Sequence, residues 1–371
     1  MSEVKLANHI VERVLDVPTG EIPWGVERIG APYEWPKARG NGMVVAILDT
    51  GCDLDHPDLK GQIIDGRNFT TDYGGNPANY RDNHYHGTHV AGTVAALANG
   101  TGVIGVAPAV KLLIGKVLSG QGSGSNAWVT AGIRWATSWR GPNGERARVI
   151  SMSLGGPVDD PDMHRAIKDA VAAGILVVCA AGNDGPGHVE YPGAYPEVVE
   201  VGATDDQDRI ANFSNTNPEI DLVAPGVKIL STYPGGKYAI LSGTSMATPH
   251  TSAAAVLITQ EEETAYKRTL TEAEIFALLI KRTKDLGYPK TDQGSGRLHL
   301  ADPPRQEPQP GPRPRVYSVY IRPETRPNIG NGYAVQLGFY RERDNALRLT
   351  QDLKEDLEKA GALVNIIGGG N

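Results

Sequence analysis

Short apolar runs rich in Val, Ile and Leu recur through the first 300 residues of the chain. Runs of this kind, bounded by glycine or polar residues, are typical of strands buried on both faces of a parallel sheet. The pattern therefore predicts a set of buried strands, of which the clearest are MVVAIL (43–48), KLLIGKVL (111–118), RVISMSL (148–154), ILVVCAA (175–181) and VVEVGA (198–203).

Stretches with helical character separate these strands. They are THVAGTVAALA (88–98), SNAWVTAGIRWATSW (125–139) and DPDMHRAIKDAVAAG (160–174). Strands that alternate with helices predict an α/β fold, a doubly wound and mainly parallel sheet flanked by helices. In such sheets the functional crevice lies at the carboxyl ends of the strands, so that edge is where we look for chemistry.

The pattern changes near residue 300. Residues 301–315, ADPPRQEPQPGPRPR, are rich in proline and predict an extended linker that packs no core. Beyond it, residues 316–371 predict a small α+β module, with strands at VYSVYI, YAVQLGFY and ALVNII and an amphipathic helix over 343–361. The module is small for an independent fold.

Composition excludes several classes of protein. The net charge of −7 argues against nucleic acid as the main partner, because phosphate binding needs a basic face. The sequence contains no run of about twenty apolar residues, so we expect no membrane span. The N-terminus, MSEVKLANHIVERVLDV, lacks the apolar core of a secretion signal. The two cysteines, Cys52 and Cys179, predict free thiols in a reducing compartment, so we expect a cytoplasmic protein.

Polar residues at strand and helix ends are the candidates for chemistry. Asp49 follows the first strand and precedes a glycine turn; the alternative role is an Asx turn. His86 begins a helix of small residues, and the neighbouring His89 is the natural competitor, which we expect to be structural.

Ser245 precedes another helix of small residues, MATPHTSAAAVLI. One interpretation is a helix N-cap. The other is a nucleophile, since the free N–H groups at a helix N-terminus favour developing negative charge. Asn183, just past a buried strand, is either a turn residue or a side-chain donor to an oxyanion.

Together these residues occur in the order Asp, His, Asn, Ser. An aspartate that orients an imidazole, which in turn takes the proton of a serine hydroxyl, is the arrangement for acyl transfer. The nucleophile-elbow pattern of other hydrolases is not met, because Ala247 stands where its second glycine belongs.

The segments VAILDTGCDLDHPDL, HGTHVAGTVAA, GVIGVAPAVKLLIGKVL, ISMSLGG, VVCAAGN and LSGTSMATPH resemble the subtilisin-like serine proteases, and the likeness covers about residues 22–300. The resemblance implies a serine endopeptidase of broad specificity, acting on polypeptides through an acyl-enzyme. It also implies Asp49, His86 and Ser245 as the triad, with Asn183 and the Ser245 backbone N–H as the oxyanion hole. Two edge segments would clasp the substrate backbone as an added strand, and they are Gly122, Ser123, Gly124 and Ser153, Leu154, Gly155.

Within the family, the chain looks most like bacterial intracellular subtilisins. That likeness implies a zymogen, in which a short N-terminal extension, here residues 1–21, blocks the cleft until it is cut. The inhibitory Leu-Ile-Pro-Tyr motif of that branch is replaced by LANH (6–9), without the proline. The branch also implies a homodimer and bound calcium.

The calcium ligands implied by the resemblance lie mostly in LANGTGV (97–103). The side chains of Asp58 and Asn99 would contribute oxygens, as would the backbone carbonyls of Leu97, Thr101 and Val103. A weaker cation site is implied at the carbonyls of Gly193, Tyr195 and Val198. The alternative for Asp58 is that it caps a turn.

Alignment on YPGAYP places Glu190 at the base of the pocket for the residue before the cleaved bond (P1), where a small residue often sits. A carboxylate there would favour lysine or arginine. The preceding loop is short, so the alternative is that Glu190 points to solvent.

The tail loosely resembles the SPOR module, which binds peptidoglycan glycan strands; the alternative is a small appendage for packing or self-association. Two rival functions stay open from sequence: an inert protease fold that acts as a scaffold, and an esterase that shares the triad.

Overall fold

The computed structural model describes residues 3–18 and 20–302, and the backbone of residues 318–322, 334–336 and 363–365. The chain divides into two compact units, Met1–Pro303 and Pro304–Asn371. The first unit contains the predicted α/β domain.

Strands and helices alternate through the first unit as the apolar pattern predicts. Its strands are β1 (Glu3–Lys5), β2 (Ile10–Leu15), β3 (Val44–Asp49), β4 (Ile63–Asn68), β5 (Lys111–Lys116), β6 (Ser123–Ser125), β7 (Val149–Met152), β8 (Leu176–Ala180), β9 (Val198–Thr204), β10 (Leu222–Pro225), β11 (Ile229–Tyr233), β12 (Lys237–Ser242), β13 (Thr283–Lys284) and β14 (Arg297–Leu298). Its helices are α1 (Trp24–Arg28), α2 (Ala31–Glu34), α3 (His86–Ala95), α4 (Asn126–Ser138), α5 (Pro161–Ala172), α6 (Thr244–Tyr266), α7 (Glu272–Lys281) and α8 (Lys290–Gln293). Short 3-10 helices cover Pro57–Leu59 and Asp72–Gly75.

The main sheet has the strand order β13-β14-β10-β9-β8-β7-β3-β5-β4. All neighbours from β14 to β4 pair in parallel, and only β13 is antiparallel to its neighbour. The prediction of a mainly parallel sheet with flanking helices is therefore confirmed.

Alternation along β3 shows why this fold follows from the sequence. Val45 and Ile47 belong to one hydrophobic cluster, which includes residues of α3 and α6. Val44, Ala46 and Leu48 belong to the other, which includes residues of α4 and α5. Because both faces of the sheet are covered, Val44 to Leu48 are apolar at every position, and the polar Asp49 comes only where the strand ends.

Two smaller sheets contain the N-terminal extension. β1 pairs antiparallel with β6, and β2 pairs antiparallel with β12, giving the order β11-β12-β2. The sequence pattern did not predict either strand of the extension. Both form because an edge of the α/β domain offers each of them backbone partners.

In the second unit, β15 (Ser318–Arg322), β16 (Ala334–Gln336) and β17 (Leu363–Asn365) form an antiparallel sheet of order β16-β15-β17. β16 and β17 fall within predicted stretches, and β15 overlaps the predicted strand VYSVYI and ends one residue beyond it. The predicted helix over 343–361 and nearly all of the linker lie outside the described residues, and the likeness to SPOR stays a prediction.

Within residues 3–18 and 20–302, no helix has the length and apolarity needed to span a bilayer. Cys52 and Cys179 are both buried free thiols, and burial raises the pKa of each well above its usual range.

Candidate active site

Asp49 and His86 come together at the carboxyl edge of the main sheet. Asp49 is the last residue of β3, and His86 is the first residue of α3. The Nδ1 of His86 lies 2.9 Å and 3.0 Å from the two carboxylate oxygens of Asp49, and both side chains are buried. The backbone N–H of Thr50 donates to Asp49 Oδ1 at 2.7 Å. The carboxylate is therefore fixed and holds the imidazole with Nδ1 facing it.

Ser245 lies in the first turn of α6, and the N-cap of that helix is Gly243. The N-cap interpretation of Ser245 is therefore wrong. Its hydroxyl donates to the carbonyl of Ser153 at 3.2 Å. The Nε2 of His86 is buried and has no hydrogen-bond partner among the described residues. The structure thus joins Asp49 to His86 and leaves the hydrogen bond from Ser245 to His86 unformed.

Asn183 follows β8 and is held in one orientation. Its Oδ1 accepts from the backbone N–H and the hydroxyl of Thr244, at 2.9 Å and 2.8 Å. Since both donors fix the oxygen, the amide NH₂ faces the other way, where Nδ2 donates to the carbonyl of Asn8 at 2.9 Å. Thr244 is the first residue of α6, so these bonds hold the Asn183 side chain against the N-terminus of that helix.

The N-terminal extension lies in a cleft between β6 and Ser153–Gly155. Lys5 pairs with Ser123 of β6. It also exchanges two backbone hydrogen bonds with Gly155, at 3.0 Å and 3.1 Å, and the N–H of Leu6 donates to Gly122 at 2.9 Å. Both segments predicted to clasp a chain therefore contact one, and that chain is the protein's own extension.

His9 of the extension packs its ring against the ring of His86. The two imidazole rings are 5.0 Å apart in an edge-to-face geometry. The Nε2 of His9 lies 3.0 Å from the Tyr85 hydroxyl, and its Nδ1 lies 3.0 Å from the carbonyl of Ala7. Burial, with the nearby His86, lowers the pKa of His9 to about 4. A neutral ring therefore covers His86, and nothing in the residue pattern had singled out His9.

The second histidine of α3 behaves as expected from sequence. His89 is buried, and its Nε2 lies 3.1 Å from the carbonyls of Ile229 and Ala239. Burial lowers its pKa to about 3. Its contacts join α3 to β11 and β12, which is a structural role.

Sequence reasoning missed Lys116, at the end of β5 beside Asp49. Its ammonium is fully buried and donates to the carbonyls of Thr50 and Leu118, at 2.7 Å and 2.9 Å. It also forms an ion pair with Asp72 at 3.1 Å. Asp72 in turn accepts from the N–H of Gly120 at 2.8 Å. One buried charge thus connects the Asp49 turn to the segment that leads into β6.

Glu190 is buried, with 6% of its surface exposed, so the solvent-facing alternative is wrong. Its carboxyl lies against two glycines: a Cβ added to Gly155 would come within 2.3 Å of Oε2, and one added to Gly182 within 2.9 Å of Cδ. Gly155 borders the cleft, and Gly182 precedes Asn183. Burial and a hydrogen bond with Asp184 raise the pKa of Glu190 to about 7, and the charge of Lys5 opposes that rise.

Asp58 is the centre of the predicted calcium site. Its buried carboxylate accepts from Asn99 Nδ2 at 2.9 Å, from the N–H of Val103 at 2.9 Å and from the hydroxyl of Tyr238 at 2.8 Å. The carbonyls of Leu97, Thr101 and Val103 accept no hydrogen bond from the described residues. Hard oxygens without partners beside a carboxylate suit Ca²⁺. The carboxylate and these carbonyls fit the cation, whereas Asn99 Oδ1 accepts from the N–H and the hydroxyl of Thr101, both at 3.0 Å, and would have to exchange these donors for it. Calcium binding stays a prediction.

In the weaker predicted cation site, one of the three carbonyl oxygens already has a hydrogen-bond partner. The carbonyl of Tyr195 accepts from the N–H of Val198 at 3.0 Å. No observation tests whether Gly193, Tyr195 and Val198 bind a cation, and this site stays a prediction.

Comparisons with known proteins agree with this geometry. Residues 40–297 match the subtilase family. The chain is 54% identical over 285 residues to an intracellular serine protease of Paenibacillus polymyxa, covering 76% of this chain and 86% of that protein. It is 49% identical over 309 residues to the major intracellular serine protease of Bacillus subtilis (strain 168), covering 81% and 94%. It is 43% identical over 248 residues to Subtilisin E of the same strain, covering 66% and 62%.

Proposed function

This chain belongs to the subtilase family and is a subtilisin-type serine protease that acts on polypeptides, and from that premise we propose that Asp49, His86 and Ser245 are its catalytic triad. The observation that carries the proposal is the buried contact between Asp49 and His86 Nδ1, at 2.9 Å. It fixes the tautomer in which Nε2 is free to accept a proton.

The reaction then follows from the placement of these groups. Ser245 turns from the Ser153 carbonyl to His86 and attacks the substrate carbonyl, while His86 takes the hydroxyl proton. The Asn183 amide and the Ser245 backbone N–H hold the oxyanion that forms. His86 returns the proton to the leaving amine, which yields the acyl-enzyme, and water repeats the sequence to release the acid.

A serine-directed fluorophosphonate tests this assignment directly. After processing, the protein should react with one equivalent, and peptide mass spectrometry should find the label on Ser245. A label on another serine, or none on processed protein, would contradict the proposal and favour an inert scaffold. Comparing turnover of casein with that of simple esters distinguishes the protease from an esterase.

We propose that Glu190 selects lysine or arginine at P1, because its carboxyl is held between the Ser153–Gly155 segment and Gly182–Asn183. Its pKa is raised to about 7, so the carboxyl is neutral well below that pH and charged above it. The ratio of kcat/KM for a P1-Arg over a P1-Gln peptide should therefore rise with pH, by about tenfold or more between pH 5.5 and 8.5. The same triad cuts both substrates, so its titration changes both values of kcat/KM equally and cancels in their ratio.

The matched variants are Glu190→Gln and Glu219→Gln. Glu190→Gln should give a ratio near one that does not change with pH. Glu219 is exposed, and its variant should keep the rise. If Glu190→Gln kept the same ratio and the same rise with pH as the unmodified protein, Glu190 would not set the preference.

We also propose a structural calcium ion held by Asp58, Asn99 and the carbonyls of Leu97, Thr101 and Val103. When bound, the ion supplies charge that holds the 97–103 loop to Asp58 and takes no part in the reaction. Saturating Ca²⁺ should raise Tm by about 5 °C over chelated protein, since a ligand that binds only the folded state stabilises it by mass action.

The calcium response should disappear in Asp58→Asn. It should persist in Asp206→Asn, which changes an exposed carboxylate elsewhere in the domain. A Tm that does not depend on Ca²⁺ in the unmodified protein would contradict the site.

We propose that the protein is a zymogen whose residues 1–21 inhibit it, because Lys5, Leu6 and Asn8 occupy the groups that would bind a substrate. Full-length Ser245→Ala should keep its mass on incubation, whereas the unmodified chain should lose a fragment from its N-terminus as activity appears. Full activity of the uncut chain would overturn this proposal. Mass spectrometry with a parallel peptide assay measures both.

The names of the relatives from Paenibacillus polymyxa and Bacillus subtilis support the proposal of a cytoplasmic location. A homodimer and a peptidoglycan-binding tail remain predictions of the sequence.

A further inference from the structure

The edge of β12 is occupied along most of its length by the extension. β2 pairs antiparallel with β12 from Tyr238 opposite Leu15 to Ser242 opposite Ile10, with one irregularity next to Ile240. On its other side β12 pairs with β11. When β2 leaves, a row of backbone N–H and C=O groups on β12 therefore loses its partners.

The chain runs without a break from the cleft to this edge. Val4 and Lys5 pair with β6, the carbonyl of Asn8 accepts from Asn183, and the pairing with β12 begins at Ile10. A carbonyl at the oxyanion donor marks where a cleaved bond would lie. The residues of β2 therefore occupy the path of a substrate from the second residue after that bond onward.

Backbone pairing dominates the contact. Most of the side chains of β2 face solvent, with Ile10 54%, Val11 39% and Val14 43% exposed. One side-chain hydrogen bond joins the two strands, from the Ser242 hydroxyl to Glu12 at 2.9 Å. An edge that binds a strand in this way accepts almost any sequence, because every peptide offers the same main-chain groups.

We propose that the edge of β12, once the extension has been cut and released, binds the part of a substrate that follows the cleaved bond as an antiparallel strand of about six residues, the length of β2. The inference rests on the proposed protease function and adds a substrate class to it. The substrate is an extended, unfolded polypeptide, held on both sides of the bond, rather than a short peptide.

A peptide series tests the proposal on the processed protein that the full-length chain generates. The peptides share their residues before the cleaved bond and carry two, four or seven residues after it. We expect kcat/KM to rise at least about tenfold from two to seven, since about three additional main-chain hydrogen bonds form. Scrambling the added residues should change kcat/KM less than threefold, about the limit for exposed side chains.

Backbone methylation gives a matched control, because only every second N–H of an antiparallel strand faces its partner. Methylating alternate amides of the seven-residue arm in one register should remove the gain, and methylating the other register should keep it. Equal effects of the two registers would overturn the proposal.

Two other outcomes would also overturn it. No dependence on length, together with a dimer in light scattering, would assign the edge to a second copy of the chain. No dependence on length with a monomer would show that the edge binds nothing, while the protease function would stand. Failure to cut any peptide would instead contradict the protease function itself, and this inference with it.

Discussion

Replacing Ser245 by alanine should lower kcat about a million-fold on any peptide substrate, a size taken from the corresponding serine of subtilisin rather than from this structure. The hydroxyl is the only group removed, and it makes one hydrogen bond, to the Ser153 carbonyl. Without it no acyl-enzyme forms, so His86 and the oxyanion donors act only on water. Because Ser245→Ala cannot remove its own extension, the variant is compared after a separate protease has cut residues 1–21 and been removed. KM should then change little, since the cleft is intact and open.

The kinetic comparison needs highly purified protein and a second serine as control. Ser252 lies on the same helix and is equally buried; its hydroxyl donates to the Thr248 carbonyl at 3.0 Å and lies 2.9 Å from the Ser151 hydroxyl, from which it can accept. Ser252→Ala should keep kcat within about tenfold, because it changes packing and not chemistry. Comparable losses in the two variants would mean that folding of α6, and not the Ser245 hydroxyl, is being measured.

Asp49→Asn should lower kcat about ten-thousand-fold and leave Tm nearly unchanged, the size being that known for triad aspartates of serine proteases. The amide has the shape of the carboxylate but presents an NH₂ to His86 Nδ1. The imidazole then carries its proton on Nε2, where it cannot accept one from Ser245. Steady-state kinetics with a parallel melting curve separates this loss from misfolding.

Asp55→Asn is the matched change at an exposed position, where the carboxylate pairs with Arg81. It should leave kcat within about twofold, since an exposed ion pair contributes little. A loss below a hundredfold in Asp49→Asn would contradict the assignment of Asp49 as the residue that orients His86.

The central sheet was readable from sequence because its strands are covered on both faces. Each strand is then mostly apolar on both faces, as β3 is from Val44 to Leu48, and the helices between them show their own periodicity. The strand ends were readable as well, and these are where Asp49 and Asn183 lie. Local pattern was sufficient for features that local packing decides.

Features that depend on distant partners were not readable. Lys116 interrupts an apolar strand, and nothing local shows that Asp72 and two carbonyls satisfy its ammonium. The strand IVERVL carries adjacent charges at Glu12 and Arg13, so that each of its faces holds one charge and neither is fully apolar, and it becomes β2 only because β12 is there to pair with. The orientation of the Ser245 hydroxyl is set by what surrounds it in the cleft, which no residue pattern encodes.

The extension belongs to the same polypeptide as the cleft that it fills, and this has a quantitative consequence. A tethered segment competes at an effective concentration set by its tether, on the order of millimolar for a short link. Dilution does not weaken such competition, and a substrate at micromolar level is outnumbered about a thousandfold before its own affinity counts. Under the proposed inhibition, release of the cleft would therefore be governed by a covalent cut, and not by the concentration of protein or substrate.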